Sequence, residues 1–165
     1  MDAILDVDLL AFEQGTAAER AAVVDGTMRS LETGFVYTAH DVSSDLIDSA
    51  YGMLADFFAL DTDTKQRWIA EGTHGQTGYT GLLVETAASS DDPDWKEMLN
   101  WGDSLPAGHP LRTQFPTRYH DPVLPEADVP GIANTLLEFH RSIADLQRRF
   151  LRIIAVGVGV DDHDD

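Results

Sequence analysis

Apolar residues recur at steps of three and four along much of the chain, and this period predicts helices. Four helices are expected, at about 16–33, 43–59, 62–71 and 131–156. Thr16 and Glu19 have the spacing of a capping box, and Gly34 is a typical terminator, so the first helix has defined ends. The last helix carries the longest apolar stripe, which predicts a core-facing surface: Ile132, Leu136, Phe139, Ile143, Leu146, Phe150 and Ile153.

Strand patterns are short and few. Residues 3–9 alternate between apolar and polar positions, which predicts one strand, and Phe35–Tyr37 predicts another. The segment 73–130 is rich in glycine and proline and predicts mostly loop, with extended pieces near Tyr79–Leu83 and Met98–Trp101. These strands are too few to close a sandwich or a barrel. We therefore expect an α/β fold in one domain over residues 1–165, with strands that resemble the edge of an incomplete sheet.

Composition and charge exclude several classes of protein. The 165 residues have a formal net charge of -18, from 29 acidic and 11 basic residues, without a basic cluster, so nucleic-acid binding is not expected. The acidity leaves two interpretations: a solubilising surface, which the spread of acids along the whole chain favours, or a cationic substrate or partner. No apolar run approaches the roughly 18 residues of a membrane span. An acidic N-terminus and the absence of cysteine predict a cytoplasmic location.

Local motifs do not define a complete active site. His163 and Asp165 have the H-x-D spacing of a two-histidine, one-carboxylate iron site, whose third ligand normally lies well downstream. There is no G-x-S-x-G elbow, and the glycines at 75–81 lack the lysine of a phosphate loop. Gly157 and Gly159 lack the third glycine of a dinucleotide fingerprint. Taken alone, the residues leave the chemistry open.

Several short motifs follow one another in a fixed order. Residues 34–42 read GFVYTAHDV, residues 57–65 read FFALDTDTK, Gly78-Tyr79 comes next, and residues 94–102 read DWKEMLNWG. This order resembles the N-terminal region of the isopenicillin N synthase-like family of non-haem iron, 2-oxoglutarate-dependent dioxygenases. The family pattern is roughly G-F-F-x-V-x-x-H-G-[IV], a leucine-rich helix, F-F-x-L-P-x-E-x-K, a Gly-Tyr motif, and D-x-K-E before an aromatic residue and glycine. The resemblance extends over essentially the whole chain.

The resemblance implies both a fold and a set of site residues. It implies that the iron ligands and the 2-oxoglutarate site lie on a C-terminal jelly roll, downstream of Asp165, so no catalytic or metal-binding residue is assigned within this chain. His163 and Asp165 then fall where the family has an acidic turn, and we reject them as ligands. The loop-rich segment is implied to line the substrate pocket, with four substrate-side residues: Gln76, Tyr79, Thr80 and Asn100. Gln76 stands where the penicillin-forming member has a carboxylate-binding arginine, and His40 is interpreted as structural.

Two functions of different classes follow from this resemblance. In the first, the chain is the N-terminal portion of an oxygenase that uses Fe(II) and 2-oxoglutarate to hydroxylate, desaturate or cyclise a small molecule, with the jelly-roll portion as its partner. In the second, it is a non-catalytic stand-alone fragment with a binding or assembly role. In either case we expect the isolated chain to be inactive and to bind iron only weakly. A reading frame that continues past Asp165 into H-x-D, a distant histidine and R-x-S would favour the oxygenase.

Overall fold

The computed structural model describes residues 4–89, 91–116 and 118–160. Its elements, in chain order, are β1 (Leu5–Asp8), α1 (Leu9–Gln14), α2 (Ala17–Ser30), β2 (Val36–Ala39), α3 (Ser44–Phe58), α4 (Thr62–Gln66), β3 (Gly78–Thr80), β4 (Met98–Asn100), α5 (Pro110–Gln114) and α6 (Ile132–Gly157). The chain divides into two compact units, one of Met1–Ser43 with Ser142–Asp165 and the other of Ser44–Arg141. No helix within the described ranges combines the length and the apolar character needed to cross a bilayer.

The first unit contains a two-stranded parallel sheet. Strand β1 pairs with β2 in a register that places Leu5 opposite Val36 and Asp8 opposite Ala39. Parallel strands are normally buried within larger sheets, and two strands alone are marginally stable in water. Tyr37 on β2 is nevertheless well exposed, at 61%.

Helix caps explain how the first unit begins. Asp8 accepts hydrogen bonds from the backbone amides of Leu10 and Ala11 at 2.9 and 3.2 Å, which ends β1 and starts α1. The predicted capping box is confirmed, because Thr16 accepts from the amide of Glu19 while the Glu19 carboxylate accepts from the amide of Thr16. The apolar faces of these elements and of α6 form one core: Val7, Leu9, Phe12, Val23 and Ile153.

The second unit has its own core, formed by α3, both short strands and the first turns of α6. The antiparallel pair β3–β4 supplies the buried residues Tyr79 and Leu99. Phe57 on α3 is fully buried and packs edge-on against the Tyr79 ring, with centroids 5.8 Å apart. The remaining buried members of this cluster are Ala50, Leu124, Val129, Ile132 and Leu136.

The observed helices differ from the predicted ones at several ends. The helix predicted at 62–71 ends at Gln66. It stops because Ile69 forms a bridge with Gly78 and the Trp68 carbonyl accepts from the amide of Tyr79 at 2.9 Å, so this backbone pairs with a strand instead. Two short helices, α1 and α5, were not predicted. Helix α5 lies inside the segment expected to be loop, where His109 caps it and Pro110 occupies its first turn.

Helix α6 extends over Ile132–Gly157, close to the predicted 131–156. Its apolar stripe is buried at Ile132, Leu136 and Ile153, whereas Ile143 is 39% exposed. The stripe is therefore a core surface at its two ends and partly open in the middle. The predicted α/β class is confirmed, since helices accompany two separate two-stranded sheets, and no closed barrel occurs in the part of the chain that the structure describes.

Candidate functional site

The candidate site lies in the second unit, around the strand that carries the Gly-Tyr motif. Strand β3 pairs with β4 so that Gly78 lies opposite Asn100, Tyr79 opposite Leu99 and Thr80 opposite Met98. The side-chain amide of Asn100 donates a hydrogen bond to the Gly75 carbonyl at 2.7 Å, which fixes the loop before β3. The predicted substrate-side residues 76, 79, 80 and 100 are thus held within one strand pair and its preceding loop.

Gly78 is required at its position by two constraints. Its φ angle is 79°, in the left-handed region that favours glycine. A Cβ atom added there would also come within 2.6 Å of the Trp68 carbonyl oxygen, an atom that already accepts the hydrogen bond from Tyr79. The glycine of the Gly-Tyr motif therefore allows the chain after α4 to approach β3 closely.

Tyr79 belongs to a partly buried polar network. Its side chain is only 3% exposed, and its hydroxyl donates to the Glu97 carboxylate at 2.6 Å. The Lys65 ammonium lies 2.8 Å from the same carboxylate and donates to the Phe58 carbonyl at 3.1 Å. These three side chains join α4, β3 and the residue that precedes β4. The network therefore positions the strand pair on which the site is built.

The network alters the acidity of two of its members. Burial raises the pKa of Tyr79 to about 12, and the neighbouring Glu97 carboxylate contributes in the same direction. For Glu97, burial alone would raise the pKa, but hydrogen bonds from Lys65 and Tyr79 outweigh it, so the pKa lies below its usual value. At neutral pH the network therefore contains a carboxylate and a neutral phenol.

The raised pKa of Tyr79 predicts a loss of stability in alkali. The folded-state pKa of about 12 exceeds the ordinary value of 10.0, so the stabilisation is present below pH 10 and is lost as the pH rises towards 12. A difference of about two units corresponds to about 2 to 3 kcal/mol. Urea denaturation of the parent and of Tyr79→Phe between pH 9 and pH 12 should show this loss in the parent alone. The exposed Tyr51 supplies the control, since Tyr51→Phe should behave as the parent does.

A cavity of about 340 Å³ opens beside β3. We call it the strand cavity, and its lining includes His74, Thr77, Tyr79, Thr80, Val84 and Glu85. The walls combine apolar carbon with hydroxyl groups, an imidazole and a carboxylate, a composition suited to a small molecule with both apolar and polar parts. Gly75 leaves room above Thr80, because a Cβ atom there would approach the Thr80 hydroxyl to 3.1 Å.

A smaller cavity, of about 120 Å³, shares the lining residue Thr77 with the strand cavity. We call it the Arg118 cavity, and its lining includes Gln76, Thr77, Trp101, Asp103, Arg118 and His120. Of the predicted substrate-side residues, Tyr79 and Thr80 line the strand cavity and Gln76 lines the Arg118 cavity, whereas the Asn100 amide is occupied by the loop. The roles of these four residues remain predictions.

The sequence did not single out Arg118 as a site residue, and His120 stood out only as one of six histidines, paired with its neighbour Asp121. Neither residue belongs to a local motif, and both reach the cavity through loops that follow α5. The one available signal was their closeness in the sequence, a cation two positions before an imidazole. His40, in the first unit, accepts a hydrogen bond from the Val42 amide at 3.2 Å, which agrees with its structural interpretation.

A comparison with models of known protein families identifies the family of this chain. A model of the family described as "non-haem dioxygenase in morphine synthesis N-terminal" matches residues 4–125. The chain belongs to this dioxygenase N-terminal family. The resemblance to non-haem dioxygenases is thereby confirmed.

Two curated relatives of this dioxygenase N-terminal domain carry similar names. A protein of Dictyostelium discoideum, named as a probable iron/ascorbate oxidoreductase, is 28% identical over 138 residues, which is 77% of this chain and 37% of the relative. The 2-oxoglutarate-dependent dioxygenase imqE of Aspergillus flavus is 25% identical over 150 residues, 76% of this chain and 40% of the relative. The chain therefore spans about two fifths of the length of these relatives.

Solved oxygenase structures also match this chain over only part of their own length. A 2OG-Fe(II) oxygenase family protein from Caulobacter crescentus superposes with a TM-score of 0.79 at 28% identity, over 98% of this chain and 50% of that one. A full-length protein of Neurospora crassa, solved in complex with alpha-KG and thymine, superposes with a TM-score of 0.76 at 21% identity, over 96% of this chain and 49% of that one. The chain thus has the fold of about half of an oxygenase of this kind.

The described part of this dioxygenase domain does not fit an iron centre. Among residues 4–89, 91–116 and 118–160, no group of three or more histidine, aspartate or glutamate side chains could hold a metal ion. A facial site needs two imidazoles and a carboxylate at one point. The rejected pair His163 and Asp165 lies outside the described residues. Weak iron binding by the isolated chain remains a prediction.

Proposed function

We propose that the chain is the N-terminal portion of an Fe(II)/2-oxoglutarate-dependent oxygenase of the isopenicillin N synthase-like type, which oxidises a small molecule. The observation that carries this proposal is the match of residues 4–125 to the dioxygenase N-terminal family. The named relatives, an iron/ascorbate oxidoreductase and a 2-oxoglutarate-dependent dioxygenase, support the same chemistry. The reaction is a hydroxylation, a desaturation or a cyclisation.

In this proposal the work is divided between two portions. The described residues offer no iron site, so the iron, 2-oxoglutarate and oxygen chemistry belong to a jelly-roll portion, which is the partner of this chain. The chain contributes one wall of the substrate pocket. Its network of Lys65, Tyr79 and Glu97 holds that wall in place. A cytoplasmic location, suggested by the absence of cysteine, completes the proposal.

The strand cavity is the part of that wall with the clearest capacity to bind a substrate. Its volume of about 340 Å³ lies at the lower end of the range of small-molecule pockets, roughly 300 to 1,000 Å³. The Tyr79 ring and Val84 supply apolar contact, and the Thr80 hydroxyl supplies an orienting hydrogen bond. Because the Tyr79 hydroxyl is already bonded to Glu97, Thr80 is the group of β3 that remains to contact a polar atom of the substrate.

Thr80→Val tests this role in the chain joined to its iron-binding jelly-roll portion. Valine preserves the size of threonine but removes the hydroxyl, so one hydrogen bond to substrate is lost. We expect KM for the substrate to rise about fivefold, as the loss of about 1 kcal/mol predicts. The affinity for 2-oxoglutarate should not change, because that site lies elsewhere. Release of succinate, followed with and without substrate, measures both quantities.

Thr113→Val is the matched control, because Thr113 is exposed on α5 and lines neither cavity. Its KM should equal that of the parent. The assignment of Thr80 is wrong if Thr80→Val leaves KM for the substrate unchanged, or if it lowers the affinity for 2-oxoglutarate instead. The proposed function itself is wrong if the joined protein, loaded with Fe(II), consumes no 2-oxoglutarate with any small molecule.

A further inference from the structure

The Arg118 cavity contains a cation that no described carboxylate neutralises. The neighbouring cations are paired: Arg112 binds Asp121 through two hydrogen bonds of 3.1 and 3.0 Å, and Arg141 binds Asp103 through three of 3.0 to 3.2 Å. The Arg118 guanidinium has no ion pair with any carboxylate within residues 4–89, 91–116 and 118–160. Arg118 is an exposed residue on the cavity wall, in a chain with 29 acidic and 11 basic residues.

A second polar group in this cavity also lacks a partner. The Nε2 atom of His120 is buried, and it has no hydrogen-bond partner among the described residues. A buried polar atom without a partner costs free energy, and such atoms in folded proteins usually face a ligand or ordered water. His120 and Arg118 line the same cavity, together with the side-chain amide of Gln76. Each of these three side chains can donate a hydrogen bond.

The acidic residues near the cavity do not offset this arrangement. Asp103 lines the cavity, but its hydrogen bonds with Arg141 balance its charge and lower its pKa. Asp121, next to His120 in the sequence, is balanced in the same way by Arg112. The local sum is one net positive charge, contributed by Arg118. The overall charge of -18 acts over longer distances, which salt screens beyond roughly 8 Å at physiological ionic strength.

We propose that the Arg118 cavity binds a carboxylate or a similarly small oxyanion, with Arg118, His120 and Gln76 as donors. The volume of about 120 Å³ equals that of about four water molecules, which accommodates a carboxylate group but not a whole drug-sized ligand. Guanidinium groups bind carboxylates through two parallel hydrogen bonds. The cavity therefore holds the acidic end of a larger molecule. Resting on the proposed function, that molecule is the oxygenase substrate, which is an organic acid.

The proposal is tested by titrating the 165-residue chain with sodium acetate at constant ionic strength, with sodium chloride as the counterpart. Imidazole signals observed by NMR and assigned with His120→Gln report on the cavity directly. We expect a saturable shift of the His120 signal with acetate. Arg118→Gln should weaken acetate binding about tenfold or more, because a hydrogen bond between two charged groups is lost. Arg118→Lys should retain part of the affinity.

Arg148→Gln is the control, since it removes the same charge from an exposed residue that pairs only with Asp145 in the described chain. It should leave acetate binding unchanged. The proposal is overturned if His120 responds to acetate and chloride alike, or if Arg118→Gln and Arg148→Gln have equal effects. Oxyanion binding that persists in a protein without oxygenase activity would support the cavity and reject the proposed function.

A parallel titration with 2-oxoglutarate distinguishes the source of the anion. If the cavity serves the substrate, 2-oxoglutarate should bind no more tightly than acetate at the same His120 signal. Binding of 2-oxoglutarate that is about tenfold tighter and is lost in Arg118→Gln would contradict the assignment to the substrate. It would show instead that the cavity recognises the co-substrate.

Discussion

Replacing Gly78 with alanine is expected to destabilise the chain by about 3 to 5 kcal/mol, enough to unfold the segment that carries both cavities. The left-handed φ of 79° alone costs an alanine about 1 to 2 kcal/mol. The new Cβ would also lie 2.6 Å from the Trp68 carbonyl and 3.1 Å from the Ala70 amide nitrogen. Neither atom can move away easily, because both belong to the backbone that pairs with β3.

Gly108→Ala separates these two contributions. Gly108 has a φ of 85°, but a Cβ atom there would meet nothing within 4 Å. It should therefore lose only the conformational part, about 1 to 2 kcal/mol. Urea denaturation followed by tryptophan fluorescence measures both variants, since Trp68 and Trp101 lie in this unit. Equal losses at Gly78 and Gly108 would mean that the close approach to Trp68 carries no energetic weight.

The sequence predicts those elements whose signals are local. The capping box of Thr16 and Glu19 needs only four consecutive residues, and the stripe of α6 needs only a repeating period, so both are found. The end of α4 is missed because it depends on residues nine or more positions away. The local sequence pattern places Trp68 and Ile69 in a helix, but their backbone pairs with that of Gly78 and Tyr79 instead. Helix α1 is missed because Asp8 ends an alternating pattern and caps a helix at once.

The same limit applies to the candidate site: the sequence identifies its local motifs but not the contacts between them. Motif order matches Lys65, Tyr79 and Glu97 separately to the family pattern. Nothing in a linear motif shows that the three side chains meet, because 32 positions separate Lys65 from Glu97. Arg118 and His120 belong to no motif at all. Their significance comes from a guanidinium and a buried imidazole nitrogen that have no partner among the described residues, which only the three-dimensional arrangement defines.

Lys65→Met is expected to cost about 3 kcal/mol, because it leaves the Glu97 carboxylate without its cation in a largely buried position. In the parent, the Lys65 ammonium lies 2.8 Å from the Glu97 carboxylate. Methionine retains the packing of the lysine stem and removes the ammonium group. Lys96→Met is the matched control. Its ammonium also lies 2.8 Å from a carboxylate, that of Glu85, but its side chain is 47% exposed. Solvent screens exposed pairs, so this control should lose little stability.

The pH dependence of Lys65→Met provides a second measure of the same network. In the parent, the lowered pKa of Glu97 gives stability that is present at neutral pH and is lost as the pH falls through that pKa. Without Lys65, burial is opposed only by the Tyr79 hydrogen bond, so the folded pKa should rise above the unfolded value. Stability should then increase as the pH falls from 7 towards 4, which reverses the slope.

Adding Glu97→Gln to Lys65→Met should abolish this slope and recover part of the lost stability, because a neutral amide tolerates burial better than a carboxylate. If the double variant is as unstable as Lys65→Met and keeps its slope, the cost does not arise from an unpaired charge, and the network does not hold the strand pair in the way we describe.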